Sequence, residues 1–291
     1  MADPLSEWLR LREPADVACR SEALTRAVRD ALDSAEPVSI VDFGTGTGSN
    51  LRYLMERLGG RQGWTAVDRS ADLLAELPPR VASWAGARGY DTQPRGGSCH
   101  VRAPHFECEV DTRQRDLRLL DEDLFEGRRL VTASALLDLV PKSWLRTLAA
   151  RCRAAGAVAL FTITYNGHSS CTPAEDEDEL VRELFNRHQK ANAGFGAPAE
   201  GPDATASAER CFTEAGYRVE RAPSPWSLGR DHHELQRFLI DGWAQAASEV
   251  ARGHAAAIAS WRARRLAHVA AGCSHIVVGH DDLAAWPARA S

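Results

Sequence analysis

VDFGTGTGSNLRYL, residues 41–54, puts glycines at 44, 46 and 48, two residues after an acid and directly after strand-forming side chains. Val38 to Phe43 is a short apolar run that ends at the glycines and reads as a buried strand. Leu51, Leu54 and Leu58 then mark a helix, which the Gly59-Gly60 pair ends. A strand that becomes a helix through alternating glycines makes room for something. Glycine lets the backbone turn tightly and lets a ligand approach with no Cβ in the way. The helix that follows points free N–H groups into the turn. In open α/β sheets such crevices lie at the carboxyl ends of strands. A dinucleotide site wants G-x-G-x-x-G, but the position of its third glycine is Ser49 here. A carboxylate at Asp42 would also repel a pyrophosphate and favour a ligand carrying positive charge.

Strands and helices alternate outward from this turn. Pro14 suits a first helical turn, and Ala15, Val17, Ala18, Leu24, Val28 and Leu32 predict a helix over 15–33. Trp64 to Val67 reads as a second strand closed by Asp68. Ser70 is a good N-cap for a helix through Leu77, with Pro78-Pro79 expected to break it. Residues 85–104 are rich in Gly, Arg and Pro and read as a loop. Phe106 to Val110, Leu130 to Ala133 and Ala157 to Tyr165 are the third, fourth and fifth strands, with a helix at Trp144 to Cys152. The fifth run is almost unbroken apolar and threonine, as in a strand covered on both faces. This alternation predicts parallel βαβ units.

The pattern changes after Tyr165. A polar helix is expected at Glu175 to Lys190, a Gly/Pro loop at Ala191 to Asp203, a helix at Thr205 to Ala215 and a strand at Tyr217 to Ala222. Leu235 to Ala271 reads as a long helical stretch broken near Gly253. Its stripe of Leu239, Trp243, Ala246, Val250 and Ala257 suits a core face or a dimer interface. Ser274 to Gly279 is the last expected strand.

The 291 residues suit one α/β domain with insertions. A net charge of −5 and the lack of a basic stripe argue against a nucleic-acid partner. No run reaches 18 apolar residues, so no membrane span is expected. The charged N-terminal stretch lacks a signal-peptide core, so a cytoplasmic location is expected. Seven cysteines without a CxxC pair read as reduced thiols. His232-His233 could suggest a metal. Adjacent helical residues point apart and no third ligand is suitably spaced, so no metal is expected.

Asp42, Gly44, Gly46 and Gly48 resemble motif I of the class I methyltransferases that use S-adenosyl-L-methionine. The resemblance continues in register over residues 36–165 and the last two strands. It implies that Asp68, in WTAVDRS, grips the ribose hydroxyls, a task suited to a carboxylate with two acceptor oxygens. It implies that Asp116, in TRQRDLRLL, accepts from the adenine amino group with Leu117 against the ring. Ser134 to Asp138, in VTASALLDLV, would line the methionine and the methyl group. Thr45, Asn50, Arg69 and Ser134 complete the expected cofactor contacts, and Arg20 is expected to meet the methionine carboxylate. The crevice itself should be free of bulky groups.

The reaction the family implies is displacement at an activated methyl, in which alignment and exclusion of water matter most. A base helps some acceptors and is not always needed. His188 is the leading candidate base, followed by His168 and Asp138, and Tyr165 is a further catalytic candidate. Asn186, Gln189, Phe195, Trp226, Arg230 and His233 are other candidate pocket residues. No D/N-P-P-Y/F/W segment follows the fourth strand, and no Pro-Cys pair of the cytosine-C5 type occurs there. A small-molecule acceptor is therefore expected, with O-methylation ahead of N-methylation. A protein methyltransferase and a non-catalytic scaffold of the same fold are the alternatives.

The expected architecture is α/β: a doubly wound, seven-stranded sheet with an antiparallel last strand. It has an N-terminal helical lid at 1–35, a cofactor-binding core at 36–165 and a substrate-cap insertion at 166–204. Residues 205–291 complete the core, with a helical insertion at 235–271. A monomer or a homodimer would serve.

Overall fold

The computed structural model describes residues 4–32, 37–95, 98–191 and 195–288. The expected boundary between lid and core, at 35 and 36, lies outside the described residues, as do 192–194 of the expected Gly/Pro loop.

Strand β1 (Val38–Phe43) lies at the centre of the sheet, parallel to β2 (Gly60–Asp68) on one side and to β6 (Leu130–Ser134) on the other. Beyond β2 comes β5 (Phe106–Gln114), and beyond β6 comes β7 (Val158–Thr172), both parallel to their neighbours. Then β10 (His275–Pro287) runs antiparallel between β7 and β8 (Tyr217–Pro223). These strands give the order β5-β2-β1-β6-β7-β10-β8, with β10 antiparallel, but the expected count of seven is exceeded, since the sheet has ten strands among the described residues.

A hairpin of β3 (Asp91–Arg95) and β4 (Ser98–Ala103) extends the sheet past β5, within the segment expected to be a loop. Its buried residues, Cys99 and Val101, alternate with more exposed ones, so one face is covered. Helix α4 (Ala71–Gly86) precedes it and does not stop at the prolines. Leu73, Leu74, Leu77, Val81 and Ala85 are buried along one face of α4. That stripe holds the helix together through Pro78 and Pro79, despite the lost backbone donors.

The N-terminal segment also differs from expectation. It is two helices, α1 (Pro4–Cys19), with Pro14 inside it, and α2 (Glu22–Leu32). Ser21 makes the break by capping α2: its Oγ accepts from the Leu24 N–H at 3.2 Å. Helices α3 (Ser49–Leu58) and α5 (Lys142–Ala155) follow β1 and β6.

Strand β7 continues past Tyr165 to Thr172, because β10 is also long and pairs with it from His275↔Thr172 to Ala285↔Ala159. The expected core boundary at 165 therefore falls inside a strand. Helix α6 (Asp178–Ala191) follows, then α7 (Ala204–Glu214). A short strand, β9 (Trp226–Leu228), adds to β10. Helices α8 (His233–Val250) and α9 (Ala255–Ala270) divide the C-terminal helical stretch at residues 251–254. On α8, Leu239, Trp243 and Ala246 are buried, so that stripe is a packing face. All seven cysteines are free thiols. No described helix is long and apolar enough to cross a membrane.

Candidate active site

The glycine turn between β1 and α3 has positive φ at all three glycines, +63° at Gly44, +53° at Gly46 and +83° at Gly48. Side chains rarely adopt that backbone region, so the residue type follows from the path. Space is short as well: a Cβ on Gly48 would lie 3.0 Å from Leu77 Cγ. The turn rests on the end of β2, where Thr45 N–H donates to Val67 O at 3.1 Å. Asp68 anchors it from the side. Its Oδ2 accepts from Gly46 N–H and its Oδ1 from Ser70 N–H, both at 2.9 Å.

Asp42 does not open onto the crevice as expected. It is fully buried, and its oxygens accept from Thr45 Oγ1 at 2.7 Å and from Asn50 Nδ2 at 2.6 Å. Burial raises its carboxyl to about pH 6 against those hydrogen bonds. Asn50 carries the connection onward, accepting on Oδ1 from Arg20 Nη1 at 2.7 Å. Arg20 Nη2 donates to Ser134 Oγ at 3.0 Å. Arg20 can reach this network because it sits at the break between α1 and α2. One chain of contacts thus joins the ends of β1 and β6 to the lid. Arg20 is 5% exposed, yet its Nε has no partner. A buried guanidinium with an unused donor is suited to receive an anion.

Other unpaired polar atoms gather at the same end of the sheet. Thr162 Oγ1 lies on β7 opposite Ser134, Asp138 Oδ1 follows β6, and His280 Nδ1 belongs to β10. Arg12 of α1 acts electrostatically on both Asp138 and His280. Burial raises the Asp138 carboxyl to about 6, with Arg12 opposing. Burial lowers His280 to about 3, so its ring is neutral near pH 7. Trp226 lies 4.7 Å from His280, ring to ring, and its Nε1 donates to Asp16 Oδ1 at 3.0 Å.

Backbone strain is concentrated here too. Ala135 and Ile163 have φ of +52° and +56° without being glycine. That conformation is costly for a β-branched residue and persists only where its surroundings enforce it.

The remaining expected residues are more dispersed. Tyr165 is buried, which pushes its phenol well above the usual range, and its hydroxyl donates to Asn186 Oδ1 at 2.8 Å. His168 is exposed. His188 lies near the end of α6 and pairs with Glu249 of α8 at 3.1 Å, on a groove outside this polar cluster. Asp116 and Arg69 are exposed and line one hollow past β5, where Asp116 pairs with Arg118. Leu117 is buried in the core, and its carbonyl accepts from Trp144 Nε1 at 2.6 Å.

The crevice is not free of bulky groups. A Cβ on Gly46 would lie 3.1 Å from Leu9 of α1, and one on Gly44 3.5 Å from Leu136. The lid is seated on the turn. Glu13 of α1 holds it there by accepting from both Nε and Nη2 of Arg52, whose Nη1 donates to Thr47 O.

Sequence reading missed Arg12, His280 and Asp282. The last two fall in GHDDLAAW, where the expected strand had already ended. Polar side chains continuing an apolar, strand-like run were the available signal.

Strand order, glycine turn and the acid ending the adjacent strand now stand together. The strand order is the one that the resemblance to the class I methyltransferases implies. No protein-family model and no curated protein matches the sequence. Solved structures are similar to this chain at low identity. A putative methyltransferase from Bacillus halodurans is 12% identical, with 91% of this chain and 99% of that chain covered and a TM-score of 0.48. A geranyl diphosphate methyltransferase with geranyl diphosphate and sinefungin is 14% identical, with 91% and 78% covered and a TM-score of 0.46. A cyclopropane synthase from Mycobacterium tuberculosis is 12% identical, with 89% and 82% covered and a TM-score of 0.43. Likeness at this level assigns neither an acceptor nor the role of any residue.

Proposed function

We propose that the chain is an S-adenosyl-L-methionine-dependent methyltransferase acting on a small molecule, with a hydroxyl or carboxylate as the first acceptor class and an amine as the second. The observation that carries the reading is Arg20, a buried cation with a free donor, tied through Asn50 and Ser134 to the glycine turn and the end of β6. The residues present fit the group. Arg20 would hold its carboxylate, the backbone of 44–48 would lie along its thioether, and Asp68 would accept from its ribose hydroxyls. Asp116 and Arg69 would flank its base. When bound, the cofactor supplies a methyl already activated for transfer.

The chain's own part is to orient, to exclude water and to move a proton. Asp138 is the best-supported base. It is buried, its Oδ1 is unpaired and its carboxyl titrates near 6, so it is ionised yet proton-accepting near pH 7. Tyr165 is already donating its proton to Asn186 and serves better as a wall. His188 lies on the outer groove and is better suited to meeting the acceptor's far end.

The second reading, a non-catalytic protein of the same fold, is favoured by one observation, the seating of Leu9 against Gly46. Isothermal titration with S-adenosylhomocysteine separates the two. Micromolar binding supports the enzyme, and silence removes it. Methyl uptake from labelled donor across a metabolite panel then identifies the acceptor.

A further inference from the structure

Helix α1 presents Leu5, Trp8, Leu9 and Arg12 along one face, spaced as neighbours one turn apart. Leu9 meets the glycine turn, and Arg12, paired with Asp16, acts electrostatically on Asp138 and His280. Leu5 and Trp8 continue the same face into a cavity of about 550 Å³ between α1, α6 and α8. The cavity therefore begins about one helical turn, roughly 5 Å, from the turn that would hold the cofactor.

Four aromatic rings form its walls. Trp8 and Phe238 stack with centroids 5.2 Å apart, and Phe185 meets Trp243 edge-on at 6.3 Å. Behind Trp8 lies Trp226 at 6.2 Å, and behind Phe185 lies Tyr165 at 5.5 Å. Both of these inner rings also contact His280. The groove is thus one ring layer from the buried polar cluster. Among the described residues its only ionisable lining groups, His188 and Glu249, pair with each other, and Gln245 also donates to Glu249. These polar groups thus hold one another at a single rim, and the rest of the groove is apolar. Phe238 and Leu5 remain 41% and 47% exposed, an apolar area that an occupant would cover.

We propose that this groove binds the body of the acceptor, and that the acceptor is a neutral, planar, largely apolar ring compound whose reacting group points along α1 toward Arg12 and Asp138. The proposal rests on the methyltransferase reading for the word acceptor, but the ring site stands on its own geometry. Flat aromatic walls with hydrogen-bonding amides at one rim select shape and orientation together.

The test uses 2-naphthol as probe and myo-inositol as its polar counterpart, titrated calorimetrically into the whole protein with and without S-adenosylhomocysteine. Gly242→Phe is the discriminating variant. Gly242 lines the groove from α8, a Cβ there meets nothing within 4 Å, and replacing a mid-helix glycine favours the helix. The expected result is naphthol binding to the wild type, at least about tenfold weaker binding to Gly242→Phe, unchanged S-adenosylhomocysteine affinity and no binding of inositol. Absent naphthol binding, equal binding to both proteins, or inositol binding as well as naphthol would overturn the ring site. Naphthol binding that Gly242→Phe weakens, with S-adenosylhomocysteine bound by neither protein, would leave the ring site and remove its role as an acceptor site.

Discussion

Asp282 Oδ1 accepts the backbone N–H of Ile163 at 2.9 Å, at the residue where β7 takes a positive φ. The same carboxylate accepts from Ser224 Oγ at 2.7 Å and, through Oδ2, from Ser21 N–H at 2.8 Å. One buried side chain therefore holds the strained strand, the turn before β9 and the hinge beside Arg20. Removing it leaves two buried donors and one half-buried donor unpaired, each buried one worth about 1–3 kcal/mol. Asp282→Ala should destabilise the fold by about 3–5 kcal/mol in urea unfolding, since such losses are not additive. In Asp282→Asn, which keeps one acceptor oxygen, the fold should survive while S-adenosylhomocysteine affinity falls, because the Arg20 hinge loosens. 5′-Methylthioadenosine, which lacks the carboxylate, should bind both proteins alike. An equal loss for the two ligands would mean that Asp282 acts on the whole fold and not on Arg20.

Asp68 combines two tasks, fixing the amides of Gly46 and Ser70 and presenting the rest of its acceptor capacity to the crevice. Asp68→Ala should weaken S-adenosylhomocysteine binding by about ten- to a thousand-fold, the range expected for losing charge-assisted hydrogen bonds. Asp68→Asn retains one oxygen and should fall between. Unchanged affinity in the alanine variant would refute the ribose assignment.

The parallel strands and the glycine turn were legible because local chemistry dictates them: apolar runs ending at an acid or at glycine, spaced by helices. The hairpin at β3–β4 was hidden, since its residues earn their strand pairing from the edge of β5 rather than from their own composition. Helix α4 persisted through Pro78-Pro79 because tertiary burial of Leu77 and Val81 outweighs a local breaker. At the site, position along the chain singled out Arg20 and Ser134, which a hydrogen bond joins. Asp42 was placed correctly along the chain but given the wrong partner, because sequence cannot say which way a side chain turns at a strand end. His280 and Asp282 depend on how far β10 extends, which its pairing with β7 and β8 determines.

The titration of Asp138 gives a pH-dependent test. Its carboxyl titrates near 6 when folded, against an ordinary value of 3.8. The folded state therefore binds the extra proton between those values, and the stability this contributes is present below about pH 4 and lost as pH rises through 6. Asp138→Asn removes that dependence. Relative to the wild type, the variant should gain stability between pH 4.5 and 7.5, by up to about 2 kcal/mol for a shift of this size. His280 works in the opposite direction, since its lowered value costs stability as pH falls below 6.5. The comparison must therefore be between the two proteins at each pH, not along one curve. Parallel urea midpoints across the range would show that the Asp138 carboxyl is not held near 6.

Gly46 tests the lid. Its φ is +53°, and an added Cβ would lie 3.1 Å from Leu9 on α1. Gly46→Ala must therefore strain the turn and press against the lid at once. The backbone term alone is about 1–2 kcal/mol. Leu9→Ala relieves the second contact but not the first. If the lid rests directly on the turn, the double variant should recover part of the stability lost in Gly46→Ala, giving a coupling of about 0.5–1 kcal/mol in a double-mutant cycle. Leu9→Ala alone should speed S-adenosylhomocysteine association, because the side chain covering the turn is shortened while the Glu13–Arg52 contact remains. Strict additivity of the two substitutions would place Leu9 away from the turn in solution, and an unchanged association rate would show that lid departure does not gate entry.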